Sequence, residues 1–90
     1  MYTKHLIVGA GVAGLNIASQ LQSQREPFLV FEAQNKVDED GWKRFASFLR
    51  LGYKVVSIDK TPTNSFYVEL EDGVKYIAKH LYVCTSTTST

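Results

Sequence analysis

The stretch His5–Glu32, HLIVGAGVAGLNIASQLQSQREPFLVFE, decides the fold of this 90-residue chain. It opens with the apolar run His5–Val8 and continues through the glycine-rich turn Gly9–Gly14 into a segment of helical periodicity. A second apolar run, Phe28–Phe31, follows and is closed by Glu32. Runs that are apolar on both faces are typical of central parallel strands. The order therefore predicts a strand, a glycine-rich turn, a helix over residues 12–24 and a second parallel strand.

The three glycines of the turn each have a physical reason to be glycine. Gly9 lets the chain turn sharply out of the strand, where a positive φ is expected. Gly11 has no side chain, so a pyrophosphate can approach the backbone, and Gly14 lets the helix lie close to the sheet. The free N–H groups of the first helical turn would face the phosphates. The pattern predicts a dinucleotide-binding turn; the alternative is that the glycines serve only turns and packing.

Glu32 supplies the acid that this fingerprint requires, 18 residues after the last glycine. At the carboxyl end of the second strand it can accept hydrogen bonds from both hydroxyls of a ribose. Its charge would repel a 2′-phosphate, which disfavours a phosphorylated nicotinamide cofactor. The alternative is a solvated carboxylate at a strand end.

Composition predicts one globular domain over residues 1–90. The chain is 44% hydrophobic and 21% charged, and its net charge of +1 gives no case for a nucleic acid or a membrane surface as partner. We expect no signal peptide and no membrane span, because no apolar run approaches about 20 residues. The single cysteine, Cys84, excludes an internal disulfide and favours a reducing, cytoplasmic location.

The middle of the chain predicts a second helix from Gly41 to Leu51, ended by Gly52. The acidic run Asp38–Asp40 suits a helix N-terminus. As a metal site it would lack converging ligands, so no metal is predicted. Helical spacing places Trp42, Phe45, Ala46 and Leu49 in the core.

The last forty residues predict a meander of three antiparallel strands. These are Tyr53–Lys60, Phe66–Glu71 and Val74–Ala78, with a hairpin at Asp72-Gly73. Lys79-His80 interrupts the pattern before a last apolar strand, Leu81–Cys84, and a frayed tail over residues 85–90. The predicted fold class is α/β: a small parallel Rossmann-like sheet (β-α-β-α) with an antiparallel three-strand β-meander crossover.

With these features the chain resembles the FAD-binding domain of two-dinucleotide-binding flavoproteins, namely disulfide reductases, amine oxidases and flavin monooxygenases. The opening signature through Ala18, the acid after the second strand and the segment Gly52–Asp59 entering the meander carry the resemblance. It implies that the backbone of Val55 contacts the adenine. The cofactor-binding residues expected from the fingerprint and the resemblance are Gly9, Ala10, Gly11, Val12, Ala13, Gly14, Glu32, Ala33, Val55 and Thr85.

Two departures from the family limit what the resemblance implies. The last strand ends in Cys84-Thr85-Ser86 where the family has Ala-Thr-Gly. Nothing corresponds to the later Gly-Asp motif and substrate domain that hold the flavin ring in the family. The resemblance implies a half-flavoprotein that grips the AMP half of FAD.

Three functions remain open from the sequence. The first is FAD binding through the ADP moiety, as an oxidoreductase subunit completed by self-association or by a partner that covers the flavin. The second is an NAD site, and the third is a non-catalytic interaction module derived from a flavoprotein. His5, His80 and Cys84 form no recognisable catalytic constellation and are interpreted as structural.

Overall fold

The computed structural model describes residues 1–85, which form one mixed six-stranded sheet with two helices. The predicted α/β class with a meander crossover is confirmed. In chain order the elements are β1 (Tyr2–Val8), α1 (Val12–Ser23), β2 (Phe28–Glu32), α2 (Glu39–Trp42), a 3₁₀ segment (Lys43–Phe48), β3 (Leu49–Leu51), β4 (Val55–Lys60), β5 (Phe66–Leu70) and β6 (Lys75–Val83). The strand order is β3-β2-β1-β6-β5-β4. Strands β3, β2, β1 and β6 run parallel, whereas β4, β5 and β6 pair antiparallel.

The opening β-α-β unit has the predicted form. Strand β1 pairs with β2 from His5 opposite Phe28 to Val8 opposite Phe31, so both strands end at the same edge of the sheet. Helix α1 turns a face of small and apolar residues to the sheet, and its buried residues are Gly14, Ala18 and Leu21. The small residues at the first two of these positions allow the helix axis to approach the strands closely.

The domain has two hydrophobic cores, one on each face of the parallel strands. One core packs α1, α2 and the 3₁₀ segment against β1 and β2. The other packs the meander against the opposite face. Phe31 lies beside Val8, whereas Tyr76 lies near Tyr2, about 20 Å away along an extended β1. Their rings nevertheless meet with centroids 4.8 Å apart, so the meander folds over this face.

The third meander strand and the last parallel strand are one strand, and their predicted separation is wrong. Strand β6 runs without a break from Lys75 to Val83, pairing with β5 through its first half and with β1 along most of its length. Ala78 and Leu81 both pack into the meander core although they are three residues apart. Strict alternation is therefore lost at Lys79-His80, which explains why the sequence pattern breaks there while the strand continues.

The predicted long second helix is also wrong. Only Glu39–Trp42 is α-helical, the next six residues form a 3₁₀ helix, and Leu49–Leu51 becomes the edge strand β3. A 3₁₀ helix repeats every three residues, so the inward face carries Trp42, Phe45 and Phe48. Ala46, expected in the core from a period of 3.6, is exposed, and Leu49 is half-buried.

The proposed helix stop lies in a turn between two strands. Gly52 has a φ of +71°, but it links β3 to β4, and its N–H donates to the carbonyl of Gln34. The same turn is fixed by Tyr53, whose N–H donates to the carbonyl of Glu32. The chain after β2 and the chain before β4 are thus joined side by side. Residues 86–90 of the predicted tail, among them Ser86 of the Cys84-Thr85-Ser86 motif, lie outside the described residues.

Candidate nucleotide-binding site

A cleft of about 690 Å³ opens where β1, β2 and β6 end. The chain leaves β1 for β2 on one side, while β6 lies on the other side of β1. Ligands of open α/β sheets bind at such a point, beyond the carboxyl ends of the strands. Nine of the ten expected binding residues line this cleft: Gly9, Ala10, Gly11, Val12, Ala13, Glu32, Ala33, Val55 and Thr85. Gly14 does not line it and lies beneath the turn.

Gly9 and Gly14 are required by the packing of the turn. Gly9 has the expected positive φ, +106°, and a Cβ there would lie 2.8 Å from the carbonyl carbon and oxygen of Cys84. The turn therefore sits directly on the end of β6. A Cβ on Gly14 would collide with the carbonyl oxygen of Gly9 and lie 3.2 Å from Cγ2 of Ile7. The close approach of α1 to the turn thus depends on glycine at both positions.

Gly11 differs from the other two, because a Cβ there would meet no atom within 4 Å. Its φ of −91° is one that any residue adopts, so neither the fold nor the backbone conformation requires glycine here. Gly11 is exposed and lines the cleft. The glycine leaves the backbone open on the side of the cleft, as the pyrophosphate hypothesis expects.

Two side chains from other elements hold the turn at Ala10. The N–H of Ala10 donates to Oε1 of Glu32 over 2.8 Å, and the indole N–H of Trp42 donates to the Ala10 carbonyl over 3.0 Å. The second oxygen of Glu32, Oε2, accepts from the N–H of Gln34 at 2.8 Å. The half-buried carboxylate is therefore fixed at the mouth of the cleft by two backbone donors.

The first turn of α1 opens into the cleft without a side-chain cap. Its N-cap is Gly11, which has no side chain to offer, and the first turn carries no acidic residue. Val12 and Ala13 are exposed at this end and line the cleft. The first N–H groups of a helix have no partner within the helix and favour an anion. This end of the 12-residue helix is thus available for a phosphate.

Sequence reasoning missed part of the lining, which includes Val8, Phe31, Gln34, Lys36, Tyr53, Lys54 and Cys84. The two lysines are exposed and, with Glu32, leave the cleft with a net positive charge that suits a diphosphate. Their signal was present in the sequence, since each lies within four residues of an expected binding residue. Burial raises the pKa of the Cys84 thiol, which disfavours the reactive thiolate.

The two histidines do not line the cleft, and His5 instead belongs to a partly buried network with Glu26, Lys4 and Tyr82. The carboxylate can only accept, so Nε2–H of His5 donates to Oε1 of Glu26 over 2.8 Å. The other ring nitrogen lies 3.0 Å from the hydroxyl of Tyr82, and His80 stacks on the ring at 4.8 Å. Lys4 Nζ lies 2.7 Å from the same carboxylate oxygen. The structural interpretation of both histidines agrees with this arrangement.

The network predicts that ionised Glu26 stabilises the folded domain and that this stabilisation is lost in acid. Its hydrogen bonds to Lys4 and then to His5 lower the pKa of Glu26. A lowered folded pKa stabilises the domain above the unfolded value of about 4.3, and the stabilisation is lost as pH falls through the folded pKa. We expect Glu26→Gln to lower the melting temperature at pH 7 by a few degrees, with the gap to wild type closing as the pH falls below the unfolded value.

Glu71→Gln is the matched control for this prediction. Glu71 and Lys54 are both exposed, and their charged atoms lie 3.9 Å apart, so their pairing contributes little. Melting curves of the three proteins by circular dichroism from pH 3 to pH 7 make the comparison. A Glu26→Gln gap of the same size at both ends of this range would refute the assignment.

Residues 1–85 contain neither a metal-ligand cluster nor a helix able to span a membrane. The described part of the chain contains no group of three or more His, Cys, Asp and Glu side chains placed to hold a metal ion. The helices found there are too short and too polar to cross a membrane.

Comparisons with known proteins agree with the geometry of the cleft. The family model of the NAD(P)-binding Rossmann-like domain matches residues 7–37, which contain the turn, α1, β2 and Glu32. No curated protein sequence matches the chain at a significant level.

Solved structures share the fold over almost the whole chain. An oxidized steroid monooxygenase bound to NADP has a TM-score of 0.86 at 18% identity, covering 96% of this chain and 26% of that one. A putative thioredoxin reductase from Bacillus anthracis has 0.78 at 22%, covering 94% and 36%. Bacillithiol disulfide reductase from Staphylococcus aureus has 0.81 at 14%, covering 96% and 39%.

The chain spans between about a quarter and two fifths of the length of these proteins. At identities of 14% to 22% the structural likeness shows that the fold is shared. The family model matches the part of the sequence that contains the glycine-rich turn. The resemblance to two-dinucleotide-binding flavoproteins is thus confirmed at the level of the fold. The chain thus has a Rossmann-like α/β fold that it shares with this monooxygenase and these two reductases, and its residues 7–37 match the family model of the NAD(P)-binding Rossmann-like domain.

Proposed function

We propose that this domain binds FAD through its ADP moiety. The observation that carries the proposal is the open backbone of Gly11 beside the uncapped N-terminus of α1, with Glu32 fixed across the same cleft. The first two features suit a diphosphate and the third suits a ribose. A cavity of about 690 Å³ lies within the range of cofactor pockets.

The bonding of Glu32 leaves room for a ribose. Each carboxylate oxygen has two acceptor sites, and each accepts one backbone N–H, from Ala10 or from Gln34. One acceptor site therefore remains on each oxygen, which matches the two hydroxyls of a ribose. A 2′-phosphate would place a negative charge against this carboxylate. The site favours an unphosphorylated adenosine ribose.

FAD is preferred to NAD because the resemblance of the opening signature and of the meander is to FAD-binding domains. Val55, implied to contact the adenine, lines the cleft together with Tyr53 and Ala33. NAD is the second candidate, favoured by the NAD(P)-binding description of the family model that matches residues 7–37. If the domain acts as an FAD-dependent oxidoreductase, the redox chemistry is that of the bound FAD.

A second copy of the chain or a partner subunit is proposed to cover the flavin half. The lining residues come from the turn, the end of β2, the start of β4 and the end of β6, which suit the ADP half. Val12 is 77% exposed on this cleft, and Val83 is 59% exposed at the end of β6. Exposed apolar side chains beside a cofactor are suited to a further contact. Sizing of the protein with and without FAD tests this proposal.

The decisive experiment is a binding comparison on the purified protein. Its visible spectrum is recorded, the supernatant after heat release is run against FAD, FMN and NAD standards, and titrations with FAD, ADP and NAD follow. FAD and ADP binding with similar affinity would support the proposal, because the ADP half makes the contacts. Binding of NAD without FAD would favour the second candidate. Binding of neither cofactor would favour the non-catalytic interaction module.

Glu32→Gln tests the ribose contact. We expect FAD or ADP affinity to fall by about 1.5–3 kcal/mol, the range for a hydrogen bond to a charged group. The amide keeps the size of the side chain but only one acceptor oxygen, so one of the two backbone N–H groups, that of Ala10 or that of Gln34, loses its bond to this side chain while the fold is expected to persist. Isothermal titration calorimetry measures the loss, with exposed Glu39→Gln as a control for the change of charge. Equal affinity in Glu32→Gln and wild type would show that this acid is not on the ribose.

A further inference from the structure

Trp42 makes a polar contact with the glycine-rich turn in addition to its packing in the core. The side chain is 2% exposed and packs edge-to-face on Phe45, with ring centroids 5.8 Å apart. Its indole N–H donates to the carbonyl oxygen of Ala10 over 3.0 Å. A buried indole N–H needs an acceptor, and here that acceptor belongs to the glycine-rich turn.

This bond fixes the direction of the next amide. The Ala10 carbonyl and the Gly11 N–H belong to one planar trans peptide, so they point in opposite directions. With the oxygen held against Trp42, the Gly11 N–H points away from the indole, on the open side of the turn. Among the described residues this N–H finds no acceptor, and Gly11 is exposed to the cleft.

The preceding peptide is fixed from another side. The Ala10 N–H donates to Glu32, at the end of β2. Two consecutive peptide planes of the turn are therefore held by two side chains that come from different elements. An anion site gains affinity when its donors are oriented before the ligand arrives.

We propose that Trp42 is a positioning residue for the nucleotide: its indole N–H orients the Ala10–Gly11 peptide so that the Gly11 N–H is presented to the diphosphate. The inference rests on the proposed function, since it concerns the same cleft. It assigns the short helix α2 a role in binding although this helix does not line the cleft. It also predicts that the effect is specific for the diphosphate and absent for the nucleoside.

Trp42→Phe tests this, with ADP and adenosine as probes. Phenylalanine keeps an aromatic ring against Phe45 and removes the donor. We expect ADP to bind about three- to tenfold more weakly, as for the loss of one hydrogen bond. Adenosine affinity is expected to stay within about twofold, because adenosine has no phosphate to contact the Gly11 N–H. Phe45→Leu, in the same core and outside the lining of the cleft, is the matched control for loss of packing.

Amide-resolved NMR titrations of this 10.1 kDa protein give both affinities and follow the Gly11 N–H itself. A diphosphate-specific loss in Trp42→Phe, with Phe45→Leu close to wild type, supports the inference. Equal ADP affinity in Trp42→Phe and wild type overturns it and leaves the proposed function intact. A wild-type protein that binds neither ADP nor FAD overturns both.

If Trp42→Phe does not fold, the wild-type protein decides. Trp42 is the single tryptophan of the chain, so the tryptophan emission reports the surroundings of this indole alone. A change in emission that saturates with ADP but not with adenosine supports the coupling. A phosphate that accepts the Gly11 N–H polarises the shared peptide and strengthens the Ala10 carbonyl as the indole's acceptor, so an emission unmoved by ADP, in a protein that NMR shows to bind ADP, overturns the proposal.

Discussion

Gly9→Ala is expected to lower the free energy of unfolding by about 3 kcal/mol or more. Two independent causes add. The φ of +106° lies in a region that side chains with a Cβ rarely adopt, and the added methyl would lie 2.8 Å from backbone atoms of Cys84. Backbone atoms cannot rotate away as the end of a flexible side chain can, so the turn must separate from the end of β6.

Gly11→Ala is the matched control in the same turn. Its φ of −91° suits any residue, and its Cβ would meet no atom within 4 Å. Urea unfolding of both variants and the wild type measures the difference, and we expect Gly11→Ala to stay within about 0.5 kcal/mol of wild type. Equal stability of Gly9→Ala and Gly11→Ala would mean that the turn does not pack on β6 as described.

The fingerprint could be predicted from the sequence because every part of it is local. The conformation of Gly9 and the packing of Gly14 follow from turn geometry and helix approach, and both appear in the structure as expected. Nine of the ten expected residues line one cleft because the ends of adjacent parallel strands share one edge of a sheet. Spacing carries this information for the glycine-rich turn and Glu32, whereas Val55 and Thr85 were expected from the resemblance to flavoproteins.

The region after Glu32 could not be predicted to the same degree, because its structure depends on distant partners. Residues 49–51 become a strand because the edge of β2 offers hydrogen bonds, and the preceding segment tightens to a 3₁₀ helix. The change of period from 3.6 to 3.0 moves Ala46 out of the core and Phe48 towards it. Tertiary pairing overrides the local helical pattern here.

The contacts that fix the turn could not be predicted from the sequence for a related reason. Trp42 was expected in the core, and it is buried there, but its donor bond to Ala10 joins positions 32 residues apart. Glu32 was expected to accept bonds from a ribose, and it also accepts two from the backbone. The residue types show that Trp42 can donate a hydrogen bond and that Glu32 can accept several. Which groups they bond to is decided by how α2 and β2 pack around the turn.

Gly11→Glu is expected to weaken nucleotide binding and, at the same time, to raise the melting temperature of the free protein slightly. The carboxylate would extend into the space that a pyrophosphate needs, and like charges in close contact cost several kcal/mol. We expect FAD or ADP affinity to fall by about 3 kcal/mol, or at least about a hundredfold. A negative charge at the N-terminus of α1 is favourable in the free protein, so the melting temperature is expected to rise slightly.

The substitutions Gly11→Gln and Gly11→Ala divide this effect into its parts, since glutamine has the shape of glutamate without its charge and alanine adds only a methyl group. Affinity is expected to decrease from wild type through alanine and glutamine to glutamate, while thermal unfolding by circular dichroism shows no destabilisation in the series. Calorimetric titration with ADP measures the affinities. Undiminished ADP affinity in folded Gly11→Glu would place the diphosphate elsewhere, because no backbone rearrangement is needed to put that carboxylate in the cleft. A phosphate site at this turn requires that Gly11→Glu loses affinity while the protein stays at least as stable as wild type. If Gly11 were needed only for the fold, the substitution would instead lower the stability.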